Sequence, residues 1–156
     1  MAIVTDAGRK AVATAVKEKT IFIGIGQGDV SWDTTPENEN VAATALVSPL
    51  GYRKADQVLY CKPDPNGDIL VPTGNFSVSD LPTNYLYLSF QFAFADASDK
   101  IIRESAVFLN TVVNGSDDGY LAPSAITNVG DMLILEHLRI IRDPEVRQQF
   151  EFILQF

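Results

Sequence analysis

The chain has 156 residues, 46% of them hydrophobic and 21% charged, a composition that excludes a disordered tail and predicts one folded domain over residues 1–156. Twelve basic against twenty acidic side chains leave a net charge of −8, which disfavours nucleic acid as a partner. No apolar run is long enough to span a membrane, so we expect no membrane partner.

Residues 1–19 predict an N-terminal helix or arm. Thr5 or Asp6 can cap the first turn, and Lys17 suits the C-terminal end. Small apolar residues recur at helical spacing, at Ala7, Ala11, Val12, Ala15 and Val16. Such a stripe permits close packing either against the domain's own core or against a second copy, and both remain open.

A β-branched and aromatic run at 20–25 predicts a strand. Glycines 24, 26 and 28 lie at the end of this run and just after it, but no helix start comes next, so a phosphate-binding loop is disfavoured. Residues 28–40 are polar and contain Pro36, which predicts a long surface loop.

Residues 50–62 predict a second strand region. The Asn66-Gly67 pair after it is typical of a two-residue hairpin turn, because both residues tolerate positive φ. Residues 69–71 would then be the returning strand, paired with the region before the turn.

Residues 85–94 alternate more clearly than any other segment. Leucine and phenylalanine occupy every even position, at Leu86, Leu88, Phe90, Phe92 and Phe94, which predicts that this face is core. Residues 101–113 predict another strand, and the polar, glycine-containing stretch 114–128 predicts a second long surface loop.

Residues 132–141 and 146–156 predict the last two strands, with a hairpin break at Arg142-Asp143-Pro144. The chain is therefore predicted to be mainly β with an N-terminal helix (α+β). The sequence leaves an antiparallel β-sandwich and an open barrel as alternatives.

Chemistry-bearing residues are scarce. His137 follows Glu136 in a strand, where neighbours point to opposite faces, so the two cannot act together. Cys61 lies in a strand and is expected to be a buried or edge thiol rather than a nucleophile, and Arg103-Glu104 indicates structural ion pairing. We expect no enzyme, no catalytic residue, no cofactor and no metal site.

Aromatic and arginine side chains are the types that anchor contacts between proteins. The candidate interaction residues are Trp32, Tyr52, Tyr120, Arg142, Arg147 and Phe156. The N-terminus lacks a basic start before a long apolar core, so we expect folding in a reducing cytoplasm rather than export.

Several short segments together resemble small virion proteins of tailed bacteriophages, from the tail, baseplate or neck-collar region. The similar segments are 5–13, 23–28 with Trp32 and Asp33, 50–54, 101–108, 135–142 and 150–156. They span nearly the whole chain, and none is a catalytic signature.

The resemblance implies a structural virion subunit, made in the host cytoplasm, that forms a homo-oligomer. It also implies neighbours among the tail tube, sheath, collar, baseplate or fibres, and no catalytic residues. A component of a phage-derived contractile bacteriocin is one alternative. A carbohydrate- or receptor-binding module that uses Trp32 and surface tyrosines is another.

Overall fold

A computed structural model describes all residues, 1–156, and confirms a mainly β fold with one N-terminal helix. The elements in chain order are α1 (Asp6–Lys17), β1 (Ile21–Gly26), β2 (Pro49–Lys54), β3 (Gln57–Pro63), β4 (Ile69–Val71), β5 (Gly74–Val78), β6 (Tyr85–Phe92), β7 (Ile101–Leu109), β8 (Val112–Val113), β9 (Tyr120–Leu121), β10 (Ile126–Asn128), β11 (Asp131–Ile141) and β12 (Gln148–Gln155). Short 3₁₀ helices lie at Val30–Asp33 and Pro123–Ala125.

The strands form antiparallel sheets. One five-stranded sheet has the order β11-β7-β1-β2-β9, a second has the order β12-β6-β3-β5-β4, and β10 pairs with β8. The residues divide into two compact units. The helix unit comprises Met1–Lys19, Asp56–Phe90 and Phe150–Phe156, and the loop unit comprises Thr20–Ala55 and Gln91–Gln149. The single domain over 1–156 stays a prediction.

In the helix unit, α1 begins where predicted, because the Thr5 hydroxyl accepts a hydrogen bond from the Gly8 amide at 3.1 Å. The Tyr60 hydroxyl on β3 donates to Thr14 at 2.8 Å, and the Lys17 ammonium lies 5.4 Å from the centre of the Tyr60 ring. Those contacts turn Ala13 inward as the one fully buried residue of α1.

Of the two alternatives for the apolar stripe on α1, packing against the domain's own core is therefore wrong, and packing against a second copy stays a prediction. Ala7, Ala11, Val12 and Ala15 are exposed and Val16 is half-buried. The reason is that a polar pair, Tyr60 with Thr14, fixes the rotation of the helix, which the spacing of apolar residues does not encode.

The alternation in β6 is confirmed, since Leu86, Leu88, Phe90 and Phe92 are all fully buried. Phe94 lies beyond the end of the strand and is exposed. Tyr87 is buried as well, in a cluster with Cys61 and Phe76. Both faces of the strand are thus covered, and not only the even one.

The hairpin predicted at Asn66-Gly67 is wrong. β4 pairs with β5, and β5 lies between β3 and β4 in the sheet. The Asp64 carboxylate accepts from the Asn66 amide at 2.9 Å and shapes the turn, in which neither Asn66 nor Gly67 has positive φ. Gly67 serves close packing instead, because a Cβ there would overlap the Phe76 carbonyl.

The last two strands do not form a hairpin either, because β11 and β12 belong to different sheets. The reason lies at the break between them. The chain does turn at 143–146, where the Val146 amide donates to the Asp143 carbonyl at 3.1 Å, but the buried Arg142 side chain donates to the carbonyl oxygens of Ala93, Asp96 and Val146 and so holds this turn against the segment after β6.

The core of the loop unit is a cluster of Phe22, Leu46, Tyr52, Ala106 and Phe108. β7 lies between β1 and β11 and is buried along nearly its whole length. Residues 28–40 contain one 3₁₀ turn, and residues 114–128 contain β9, the second 3₁₀ turn and β10. β9 pairs with β2 and so ties that second segment to the sheet.

Candidate interaction surface

The segment 28–47 of the loop unit lies along β7 and β11 and is held there by four polar side chains. Arg103 and Glu104 come from β7, and His137 and Arg139 come from β11. We call these four residues the clamp.

Glu104 is only 1% exposed, and a carboxylate in such a place requires hydrogen-bond donors. It receives three, from the backbone amides of Gly28 at 3.2 Å, Val47 at 3.0 Å and Ser48 at 2.8 Å. One carboxylate therefore binds both ends of the segment. Gly26 is required beside it, because a Cβ at that position would overlap the carboxylate.

Arg103 donates to both oxygens of Asp33, at 2.9 and 2.8 Å, and to the Gln27 carbonyl at 3.1 Å. Arg139 adds a bond to Asp33 at 3.2 Å. The hydrogen bond from Arg103 lowers the pKa of Asp33, and the same bond raises the pKa of Arg103. This bidentate pair holds the first part of the segment in place.

Trp32 is an internal anchor of the segment. Its ring stacks on His137 with centroids 4.3 Å apart, and its indole N–H donates to Glu37 at 2.9 Å. His137 Nδ1 lies 2.7 Å from the Glu37 carbonyl, which only accepts, so that nitrogen carries a proton. The His137 amide donates to Glu39 at 2.9 Å and thereby lowers the pKa of that carboxyl.

Two cavities flank His137 along β11, each of about 290 Å³. The first is lined by Trp32, Asp33, Pro36, Glu37, Arg103, His137, Leu138 and Arg139. The second is lined by Glu39, Asn40, Val41, Ala43, Met132, Leu133, Ile134 and Leu135. We call the second cavity the slot. Both volumes lie at the lower end of those of ligand pockets, which start near 300 Å³.

Two of the predicted interaction residues lie inside the protein, so their burial argues against direct contact with a partner. Tyr52 is 4% exposed and packs on Phe108, with ring centroids 6.0 Å apart. Arg142 is 2% exposed and uses its guanidinium on three backbone carbonyls. The sequence does not reveal this burial, because the core cluster around Tyr52 and two of the carbonyl partners of Arg142 come from distant segments of the chain.

Trp32 is the anchor described above, and the remaining three predicted residues have mixed environments. Tyr120 is half-buried over Gly51, and its burial raises its pKa to about 12. Arg147 is exposed, with its guanidinium 5.0 Å from the centre of the Phe94 ring. In the helix unit, Phe156 is half-buried, and its amide donates to the Asn84 carbonyl at 2.9 Å.

Sequence reasoning missed the clamp as a site, although it identified Arg103-Glu104 as a structural pair. The available signal was two adjacent charges inside an apolar strand, since buried charges demand partners. The identity of those partners was not readable, because Gly28 and Ser48 lie 76 and 56 residues away from Glu104.

Cys61 is fully buried in the helix unit, as expected, and burial raises the pKa of its thiol to about 11. No group of three or more His, Cys, Asp or Glu side chains is placed to hold a metal ion. The α-helix lacks the length and apolarity of a membrane-spanning one.

Comparison with known families finds one match that covers the whole chain. A family described as "Baseplate wedge 3 tail fiber network component" matches residues 1–156. No curated protein matches the sequence.

Proposed function

The chain belongs to the baseplate wedge 3 tail fiber network component family, and we propose that it is an oligomeric subunit that joins neighbouring virion proteins at the phage baseplate. The family confirms the resemblance to small structural proteins of tailed bacteriophages and places the chain in the virion. The observation that carries the proposal is the match over all residues, 1–156. Synthesis in the host cytoplasm before assembly is part of the proposal.

The use of charge in the loop unit supports a structural role. The clamp residues Arg103, Glu104 and His137 all hold backbone or loop side chains, as the distances above show. Charged side chains that are hydrogen-bonded within the protein in this way stabilise its conformation rather than transfer protons. We propose that the protein is not an enzyme and needs no cofactor.

Exposed apolar side chains support assembly with other proteins. The large apolar side chains that are exposed to solvent include Met1, Ile3, Val4, Val30, Val41, Val47, Leu70, Leu81 and Val112. Burying apolar area of this kind is the main driving force for association. The neighbours proposed are further copies of the chain, other baseplate proteins and tail fibres.

A phage that lacks this chain tests the proposal. We expect particles without complete baseplates, or with baseplates that fail to retain fibres, by electron microscopy, and rescue when the chain is supplied from a plasmid. Complete, fibre-bearing particles in its absence would refute a structural role. A variant at an exposed site with a small side chain, Ala7→Ser, provides a matched control that should rescue fully.

The rival function, carbohydrate or receptor binding, depends on Trp32. Its indole N–H is bonded to Glu37 and one ring face is covered by His137, which leaves less of the side chain for a sugar. Glycan-array binding that disappears in Trp32→Ala, with unchanged unfolding, would favour the rival. The contractile-bacteriocin alternative stays a prediction.

A further inference from the structure

β11 is the outermost strand of its sheet, and the edge that faces away from β7 has no strand partner. The His137 amide points to that side, since it bonds Glu39 rather than β7. Alternate residues of a strand direct their amides to the same side, so the Leu135 amide faces the same edge. Unpaired backbone N–H and C=O groups along a strand edge can form hydrogen bonds with an added strand.

The slot lies against this edge and is bounded by two walls. One is the strand backbone with the half-buried side chains of residues 132–135, and the other is the segment 39–43. Val41, on the second wall, is fully exposed. The slot therefore combines main-chain hydrogen-bonding groups with an apolar lip, the two components used when an extended peptide adds to a sheet.

The rim of the slot is acidic. Glu39 lines the cavity, and Asp131 and Glu136, which flank residues 132–135 on β11, are exposed. The His137 amide donates to Glu39, and this bond lowers the pKa of that carboxyl. An occupant with positive charge next to an apolar stretch would match this surface.

The N-terminal segment of the chain has those properties. Residues 1–5, which we call the arm, contain Ile3 and Val4, 82% and 63% exposed, and no regular structure. Thr5 has extended φ and ψ of −74° and 161°. Residues 1–19 carry four lysines and arginines against two acidic side chains in a chain of net charge −8. β-branched residues such as Ile and Val favour strands.

We propose that the arm of one copy enters the slot of a second copy and pairs with the edge of β11 at Leu135, in the stretch from Ile134 to His137 where the register with β7 is continuous, next to the bulge between Met132 and Ile134. Arg9 and Lys10, exposed at the start of α1, then lie near the acidic rim. The inference rests on the proposed function, because it names the contact through which copies associate.

The clamp limits where the added strand can pair. Glu39 occupies the His137 amide, so a strand in the slot ends before residue 137. An edge blocked at one end accepts a short segment and resists open-ended pairing of long strands. The slot is lined by four consecutive residues of β11, 132–135, so a short extended segment is enough to fill it.

Photo-cross-linking between two isotopically distinct copies tests the contact. A benzophenone amino acid replaces Ile3 in unlabelled protein, which is mixed at high concentration with ¹⁵N-labelled wild type. We expect mass spectrometry to find cross-links from the unlabelled arm to labelled peptides that contain residues 131–141. The same probe at Leu81, which is also exposed, is the matched control and should not reach that peptide.

Charge exchange adds a readout that misfolding cannot imitate. Lys10→Glu alone and Glu136→Lys alone should each reduce the cross-link at least about tenfold, because like charges then meet at the rim. The two variants mixed together should restore it. Deletion of residues 1–4 should abolish self-association measured by light scattering.

The proposal would be overturned by cross-links that join peptides of one isotopic form only, or by cross-links to peptides outside residues 131–141. Self-association that survives deletion of residues 1–4 would also overturn it. A chain that remains monomeric would overturn it too. The structural role is judged separately, by the particles formed without the chain, so failure of the arm contact and failure of the proposed function give different results.

Discussion

Residues 28–40 and 114–128 look alike in sequence, since both are polar, contain glycine and proline, and were predicted as long surface loops. The structure holds them by different means. Buried charges, Glu104 and Arg103, bind the first segment and its flanking amides. The second carries an ion pair between Lys54 and Asp117 whose side chains are 49% and 39% exposed.

The glycines show the same contrast. Gly28 has positive φ, and a Cβ there would overlap the ring of Trp32, whereas a Cβ on Gly119 would meet no atom within 4 Å. The comparison teaches that polar composition does not distinguish a loop fixed on a buried charge from one held by short strand pairs and an exposed ion pair. The charges that fix the first segment, Arg103 and Glu104, lie on β7 and not in the segment itself.

The largest effect is expected from Glu104→Leu. It leaves the amides of Gly28, Val47 and Ser48 without their acceptor, which should lower the free energy of unfolding by about 3–5 kcal/mol. Urea denaturation measures the change. Glu136→Leu, on the neighbouring strand and exposed, is the control and should change stability by less than about 0.5 kcal/mol. Equal effects of the two variants would contradict the role of Glu104.

A matched glycine pair gives the next largest effect. Gly119→Ala should lower the free energy of unfolding by about 1–2 kcal/mol, which is the cost of a left-handed backbone at a residue with a side chain. Gly28→Ala should lower it by at least about 1 kcal/mol more, because the added methyl group also displaces the Trp32 ring. Fluorescence of the single tryptophan should shift to the red in Gly28→Ala and stay unchanged in Gly119→Ala. Similar spectra would show that Trp32 is not packed on Gly28.

Acidification should release the first segment. The Arg103 hydrogen bond lowers the pKa of Asp33, so the stabilisation is fully present above the unfolded value of about 3.9 and is lost as pH falls through the lower folded value. Trp32 emission followed during an acid titration reports the release. Asp33→Asn should remove most of that change, whereas Asp117→Asn, in the second segment, should leave it intact.

The smallest effect is expected from Lys54→Ala, which breaks the exposed pair with Asp117. Exposed ion pairs contribute little because water and salt screen them. The urea midpoint should not move measurably. A clear drop would mean that the second segment depends on this pair, which would remove the contrast between the two loops.

Local signals in the sequence predicted local structure. The Thr5 cap located α1, and the alternation of 85–94 located β6 and its buried residues. Long-range pairing was not predictable, because nothing near Asn66 indicates that β5 separates β3 from β4. Two of the four clamp residues could be identified from the sequence, as a charged pair in an apolar strand. Their partners could not, because these come from distant segments of the chain.

The buried thiol of Cys61 has a practical consequence. At neutral pH a group with a pKa of about 11 is almost entirely protonated, and the unexposed sulfur is out of reach of alkylating reagents. The rate at which Cys61 is alkylated therefore measures how often β3 opens, and no label has to be added to the protein. Cysteines introduced at the surface would react first and alone, so dyes can be attached to an otherwise unaltered chain.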